Sequence, residues 1–306
     1  MENSEIISGI KNKEHTLIVI AGATASGKTD LAIQLALQFQ TEIISADARQ
    51  FYREMNIGTA KPTASQLHKV NHHFIDSLSI HDDYSAGKFR DDALLLLNNL
   101  FSKHKIVVMV GGSGLFIRAV LNGFDDIPEV SVEVKEKVKN IYEEKGIIGL
   151  QEHLKESDID YYNEVDLQNP YRLMRALEIC ISSGQPFSSF RKGTKTQNNY
   201  NVNYFVLDVE KQELYNRINN RVDDMMKAGL LEEATSLFEF RNLNALNTVG
   251  YKELFEHFDG KLSLETAIEK IKQHTRNYAK RQLTWYRKES EAQWKTAEEI
   301  ITFNKI

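Results

Sequence analysis

The stretch AGATASGKTD, Ala21–Asp30, follows the apolar run TLIVI. Gly22, four residues, then Gly27, Lys28 and Thr29 is the spacing of a phosphate cradle. Glycines let the backbone turn tightly, so that its N–H groups face phosphate oxygens. The N-terminus of the following helix adds a favourable dipole. In such a loop the lysine reaches the outer phosphates and the threonine hydroxyl can ligate Mg²⁺. The flanks suit this reading. TLIVIA (Thr16–Ala21) has the composition of a buried strand, and KTDLAIQLALQFQ carries Leu31, Leu35 and Phe39 at helical spacing.

The same alternation continues along the chain. TEIISA and KIVVMV (Lys105–Val110) read as further strands, as does NYFVLDV (Asn203–Val209). Strands separated by helical stretches predict a parallel sheet covered on both faces. With the cradle, this is an α/β fold like that of the P-loop nucleoside triphosphate hydrolases. From about 123 to 196 the pattern is helical, with no strand-like run. The expected organisation is a core of residues 1–122 and 197–306 and a helical insertion domain of 123–196. The chain from Lys211 onward again reads as helical.

Composition narrows the function. The 306 residues carry 38 Lys and Arg against 43 Asp and Glu, a net charge of −5. That argues against coating nucleic acid by bulk charge, but leaves a local basic groove open. No apolar run approaches the roughly 20 residues that span a bilayer. The polar, acid-bearing first residues do not resemble a secretory signal. A single cysteine, Cys180, leaves no intrachain disulfide and no paired-cysteine zinc site. These features favour a cytoplasmic protein.

A motor or switch NTPase needs an acid at a strand end to hold Mg²⁺. KIVVMV ends in GGSG, without one. The strand EIIS ends in ADARQFY, which offers Asp47. Ligands of open parallel sheets bind beyond the carboxyl ends of the strands. The cradle, Asp47 and Ser113 should therefore converge on one cleft, although Asp47 alone could equally cap a helix. Arg217 and Arg221 share a helix face, where one could close over phosphate or simply pair with Glu213, Asp223 or Asp224. Lys270 to Lys288 holds seven Lys or Arg and no acid, with Tyr278, Trp285 and Tyr286 interleaved. That mixture suits single-stranded RNA, or else a solvated basic face with its aromatics in the core. Adjacent His72 and His73 point apart, so hydrogen bonding is expected of them and metal binding is not.

Together these residues resemble the tRNA dimethylallyltransferases, also called tRNA isopentenyltransferases, almost end to end. The resemblance rests on GATASGKTDLA, IISADARQFYREMNIGTAKP, HHFID, YSAGKFRDDA, VGGSGLFIRAVLNG, NPYRLMRALEI, VGYKEL and TRNYAKRQLTWYRK in this order. Ala23, Ala48, Ser113 and Phe116 stand where the family commonly has proline, serine, threonine and tyrosine. Ser113 keeps the hydroxyl; Phe116 does not. The lack of a cysteine–histidine zinc extension matches bacterial members.

The resemblance implies transfer of a dimethylallyl group from dimethylallyl diphosphate to the exocyclic amine of an adenosine. That adenosine lies just 3′ of the anticodon in tRNAs reading codons that start with U. By resemblance, Gly22, Ala23, Thr24, Ala25, Ser26, Gly27, Lys28 and Thr29 bind diphosphate, with backbone N–H groups of Thr24 to Thr29 and Mg²⁺ on Thr29. Asp47, Ser113 and Arg221 are the implied catalytic residues. The implied tRNA contacts are Asp47, Ala48, Arg49, Gln50, Ser113 and Lys135, then Tyr171, Arg172, Leu173, Met174 and Arg175. Asn247, Thr248, Val249, Gly250, Tyr251 and Lys252 follow, and Arg276, Lys280, Arg281 and Gln282 complete the set. The implied partner is a tRNA anticodon stem-loop, the insertion clasps its stem, and the enzyme is monomeric. An adenine-nucleotide isopentenyltransferase, a P-loop small-molecule kinase and a non-catalytic RNA-binding module remain alternatives.

Overall fold

The structure is a computed structural model that describes residues 14–125, 127–191 and 198–303. Most of the polar N-terminal stretch and the expected insertion end at 196 fall outside these residues. The chain forms two compact units, Met1–Leu121 with Asn198–Ile306, and Asn122–Gln197.

The first unit opens with β1 (Thr16–Ala21), α1 (Lys28–Phe39), β2 (Ile43–Ser45), α2 (Ala64–Lys69) and β3 (His72–His73). It continues with α3 (Ala86–Phe101), β4 (Ile106–Gly111) and α4 (Gly114–Asn122), whose last residue belongs to the second unit. The sheet is parallel in the order β3-β2-β4-β1-β5-β6, with β5 at Asn201–Leu207 and β6 at Gln293–Lys295. Its centre is β1, with Ala21 level with Gly111 of β4 and Val206 of β5. Strand β1 is apolar and buried from Leu17 to Ala21 because both its faces are covered. Leu17 and Val19 pack with Phe89, Val120 and Phe116 on one face. Ile18 and Ile20 pack with Leu31, Leu35 and Ala36 of α1 on the other.

Because β1, β2 and β4 run parallel, the loops after Ala21, Ser45 and Gly111 leave the same sheet edge. Over that edge lie α8 (Lys211–Lys227), α9 (Leu230–Leu237), α10 (Tyr251–Phe258) and α11 (Leu264–Tyr286); α12 (Ala297–Phe303) follows β6. Val222, Leu230, Tyr251, Leu254 and Ile271 join Tyr52 and Met55 in a separate core there. Close approach of α11 explains one glycine of GGSG. A Cβ on Gly114 would lie 2.3 Å from the Trp285 indole nitrogen.

The second unit holds α5 (Val132–Ser157), α6 (Ile159–Glu164) and α7 (Pro170–Ser183). Its core is Val138, Leu150, Leu154, Leu173, Ala176 and Leu177. Helix α5 breaks its dihedral pattern at Gly146, where φ is 62°. Buried Asp158 caps α6 through the Tyr161 N–H at 3.0 Å, and it accepts from the Ser188 N–H and hydroxyl at 2.7 and 2.8 Å.

One strand expectation needs adjustment, and two strands were not expected. Strand β5 starts two residues earlier than Asn203 and ends at Leu207. Strands β3 and β6 are additional, with two and three residues and no fully buried position. Neither carries the apolar run that marks a strand in sequence; each exists by pairing with β2 or β5.

Gly114→Ala should destabilise the protein by about 1–3 kcal/mol, since the indole must shift to admit the methyl group. Thermal denaturation measures it; an unchanged melting temperature would show that the Trp285 contact is slack.

Candidate active site

The cradle leaves β1 at Ala21 and turns through Ala25 (φ 63°) and Gly27 (φ 94°) into α1. Helix α1 has no side-chain cap, whereas Ser85, Ser131 and Ser263 cap α3, α5 and α11. Its first-turn N–H groups are thus available to an anion. Two of the expected backbone donors are otherwise engaged. The Thr24 N–H donates to Gln282 Oε1 at 2.8 Å, and the Ser26 N–H to the Ala23 carbonyl at 3.3 Å. Ser26 Oγ is buried and has no hydrogen-bond partner among the described residues. Ala23 and Ala25 pack with Leu214, Ile218 and Ala279, so their side chains shape the loop.

Two cations face the cradle. Lys28 Nζ donates to the Ala23 carbonyl at 2.6 Å. Burial, and then the charge of Arg221, lower its pKa to about 8, while Asp47 acts in the opposite direction. Arg221 projects from α8 into a concavity. Solvent reaches the side chain, yet the surrounding protein strips enough water to lower its pKa, with Asp30 opposing. No carboxylate is in ion-pair contact with Lys28 or Arg221 among the described residues. Arg217, one turn earlier, follows the plainer expectation. It pairs with Glu213 at 2.5 Å and donates to the Ser26 carbonyl at 3.3 Å.

Asp47 follows β2. Its Oδ1 accepts from the N–H groups of Arg49 at 2.9 Å and Gln50 at 3.4 Å, which is the capping geometry. Yet the residue also lines a cavity of about 670 Å³ shared with Thr24, Lys28, Thr29, Ser113 and Arg221. Capping and a place in the cleft are therefore compatible. Ser113 Oγ accepts from the Ala48 N–H at 2.9 Å, tying the loop after β2 to the loop after β4. Phe116 packs against Phe51 and Phe89, with centroids 5.6 and 5.1 Å away, so an apolar ring suits its core position.

The cavity also takes in Ala48, Arg49 and Gln50, and Asn247, Thr248, Val249, Gly250 and Lys252 at another wall. Tyr251 is turned away. It is fully buried, and its hydroxyl donates to Glu233 at 2.7 Å, which corrects its expected contact with RNA. Gln282 also lines the cavity. Its buried amide donates to the Gly112 carbonyl at 2.8 Å and accepts from Thr24, so it joins two loops of the cradle wall.

Helix α11 divides its expected roles. Lys270 pairs with Glu256 at 3.5 Å, and Lys272 with Asp223 at 2.8 Å and Glu269 at 3.1 Å. Arg276 donates to Asn219 at 2.5 Å. Lys280 and Arg281 are exposed, with no ion pair among the described residues, beside the rings of Tyr215 and Tyr278. Tyr286 is core, Trp285 is half-buried, and Tyr278 opens into the cavity. In the second unit, Lys135, Tyr171, Arg172 and Arg175 are exposed and Met174 is half-buried. Leu173 is a correction, because it is fully buried in that unit's core. His73 Nε2 lies 2.8 Å from Glu42 and His72 Nδ1 2.8 Å from the Val70 carbonyl, the expected hydrogen-bonding roles.

An uncapped helix start, two cations without an ion pair among the described residues and a strand-end carboxylate, all at one edge of a parallel sheet, define a P-loop-like α/β protein. Residues 50–289 match the IPP transferase family. The tRNA dimethylallyltransferase of Christiangramia forsetii is 54% identical over 278 residues, 91% of this chain and 92% of its own. The tRNA dimethylallyltransferase 1 of Bacteroides thetaiotaomicron is 46% identical, with 91% of each chain covered. Among solved structures, the tRNA isopentenylpyrophosphate transferase of Bacillus halodurans is 35% identical with a TM-score of 0.68, over 93% of this chain and 90% of that one. A eukaryotic dimethylallyltransferase acting on tRNA is 26% identical with a TM-score of 0.78, over 92% and 74%. This chain belongs to the IPP transferase family.

The lowered pKa of Lys28 has a testable sign. An anion in the cradle favours the ammonium, so diphosphate should raise the pKa and bind less tightly as pH rises through about 8. In a spectrum of ¹³C-methylated lysines, the signal absent from Lys28→Arg should titrate near pH 8 and move to higher pH with pyrophosphate. Titration near the ordinary lysine value in the free protein would contradict the desolvated site.

Proposed function

We propose that this protein transfers the dimethylallyl group of dimethylallyl diphosphate to the exocyclic amine of the adenosine 3′ to the anticodon, in tRNAs reading codons that begin with U. The observation that carries the reading is the shared cavity. It brings Lys28 and Arg221, neither in an ion pair among the described residues, together with the carboxylate of Asp47.

The cations and the open N–H groups at the start of α1 hold the diphosphate and stabilise the charge that develops as the allylic C–O bond breaks. The adenine amine attacks that carbon. Its lone pair is delocalised into the ring, so it is a weak nucleophile, and alkylation makes its proton strongly acidic. Asp47 accepts that proton. Ser113, bonded to the Ala48 N–H, keeps the Asp47 loop beside the loop after β4. The products are isopentenyladenosine and diphosphate, and no P–O bond breaks.

The residues also suit Mg²⁺. Thr29 lines the cavity beside Lys28, where its hydroxyl would serve as a ligand. Mg²⁺ commonly takes one or two protein oxygens and fills its shell from water and phosphate. Bound there, it would neutralise charge on the diphosphate.

For the RNA, the exposed cations Arg281 and Lys252 line the cavity, and Lys280 adds charge on the same helix as Arg281. Lys135, Tyr171, Arg172 and Arg175 offer exposed charge and a stacking ring on the second unit. The adenosine must leave its loop stack to reach Asp47, at a cost of a few kcal/mol. A tRNA substrate supports action in the cytoplasm, and no described helix is long and apolar enough to cross a membrane.

Labelled dimethylallyl diphosphate offered with tRNA, with AMP or alone tests the reading. Label should enter tRNA; label in AMP would point to a nucleotide prenyltransferase, and none in either would refute the reaction. Asp47→Asn should keep pyrophosphate affinity and lower turnover by about 10²-fold or more. Near-normal turnover would remove Asp47 as the base. Lys280→Ala with Arg281→Ala should flatten the salt dependence of tRNA binding by about 0.7–0.9 per lost phosphate contact; an unchanged slope would make that face purely structural.

A further inference from the structure

Glu233 on α9 does not line the cavity, yet its carboxylate accepts four hydrogen bonds. Oε2 takes the N–H groups of Asn56 and Ile57 at 3.0 and 2.8 Å. Oε1 takes the Gly58 N–H at 2.9 Å and the Tyr251 hydroxyl at 2.7 Å. Three successive backbone N–H groups turned to one side form a concavity that favours an anion. Gly58 makes the arrangement possible, since a Cβ there would lie 2.6 Å from the Tyr251 ring.

The next residues, Thr59, Ala60 and Pro62, are cavity wall. Gln50 Nε2 donates to the carbonyls of Thr59 and Ala60 at 3.1 and 3.2 Å. The Gln50 N–H in turn closes on Asp47 Oδ1. At the other end of the turn, Lys61 Nζ donates to the Tyr52 carbonyl at 2.6 Å, to Asn56 Oδ1 at 3.0 Å and to Asp76. A chain of hydrogen bonds, joined by the backbone of residues 58–60 and by Gln50 itself, thus runs from α9 to the carboxylate of Asp47, the last of them at 3.4 Å.

We propose that Glu233 is a positioning residue. By holding the turn of residues 56–58 it sets the Thr59 and Ala60 carbonyls, these orient Gln50, and Gln50 orients Asp47. The proposal rests on Asp47 being the base of the proposed reaction. In Glu233→Gln one acceptor oxygen becomes an NH₂ that faces N–H or O–H donors, so the turn loosens while the side-chain volume stays. The cradle is joined to α11 through Gln282 and takes no part in this chain.

Steady-state transfer to tRNA by the full-length protein tests the proposal, using Glu233→Gln, Gln50→Leu and the double variant. Glu233→Gln should lower kcat on the order of 10-fold, because a small misplacement of a reacting group is costly. KM for dimethylallyl diphosphate and pyrophosphate affinity should stay within twofold. The double variant should be no slower than the slower single one, since both break one chain. A wild-type kcat in Glu233→Gln, a parallel loss of pyrophosphate affinity, or losses that multiply would each overturn it. If Glu233→Gln does not fold, Tyr251→Phe removes one of the four bonds. It should then lower kcat less, with pyrophosphate affinity intact; an unchanged kcat overturns the proposal. Wild-type protein that transfers no label overturns the reaction itself and this role with it.

Discussion

One side-chain amide holds the cradle to the rest of the cleft. Gln282 accepts from the Thr24 N–H and donates to the Gly112 carbonyl, so a residue of α11 joins the loop after β1 to the loop after β4. The bond to Gly112 is buried, where an unpaired amide would cost about 1–3 kcal/mol, and the bond from Thr24 is half-buried. The two loops leave neighbouring parallel strands, and that pairing alone does not fix their mutual height. The amide does, and it draws α11 close enough to exclude a side chain at Gly114. Tyr278 and Arg281, which precede Gln282 on the helix, thereby reach the cavity.

The polar groups of the protein are of two kinds. Glu233, Lys61 and Asp158 are saturated with partners inside the protein and hold shape. Lys28, Arg221 and the uncapped start of α1 keep donors unmatched. Folding tolerates the second kind because solvent still reaches them. A fully buried unpaired charge would be far more costly.

Features that depend on neighbours along the chain were legible in the sequence. The cradle is strand, turn and helix within fifteen residues, and Asp47 stands at the end of the next strand, so chain order and sheet chemistry sufficed. The bond between Thr24 and Gln282 spans 258 residues, and no local pattern announces it. Leu173 and Tyr251 show a different limit. A contiguous motif carries its members as a block, but a helix turns successive residues through about 100°. Leu173 thus joins Leu177 in a core while Tyr171 and Arg172 face solvent. Strands β3 and β6 escaped because pairing, rather than composition, makes them strands.

The lysine at the head of α1 has a consequence for turnover. An empty cradle whose ammonium ionises near neutrality can shed a proton to solvent, whereas an ordinary lysine stays charged. Departure of an anion therefore leaves an ammonium that gives up its proton more readily than an ordinary lysine does. The same crowding that favours an anion beside the ammonium also lowers the cost of the empty state, because the amine can there lose its charge.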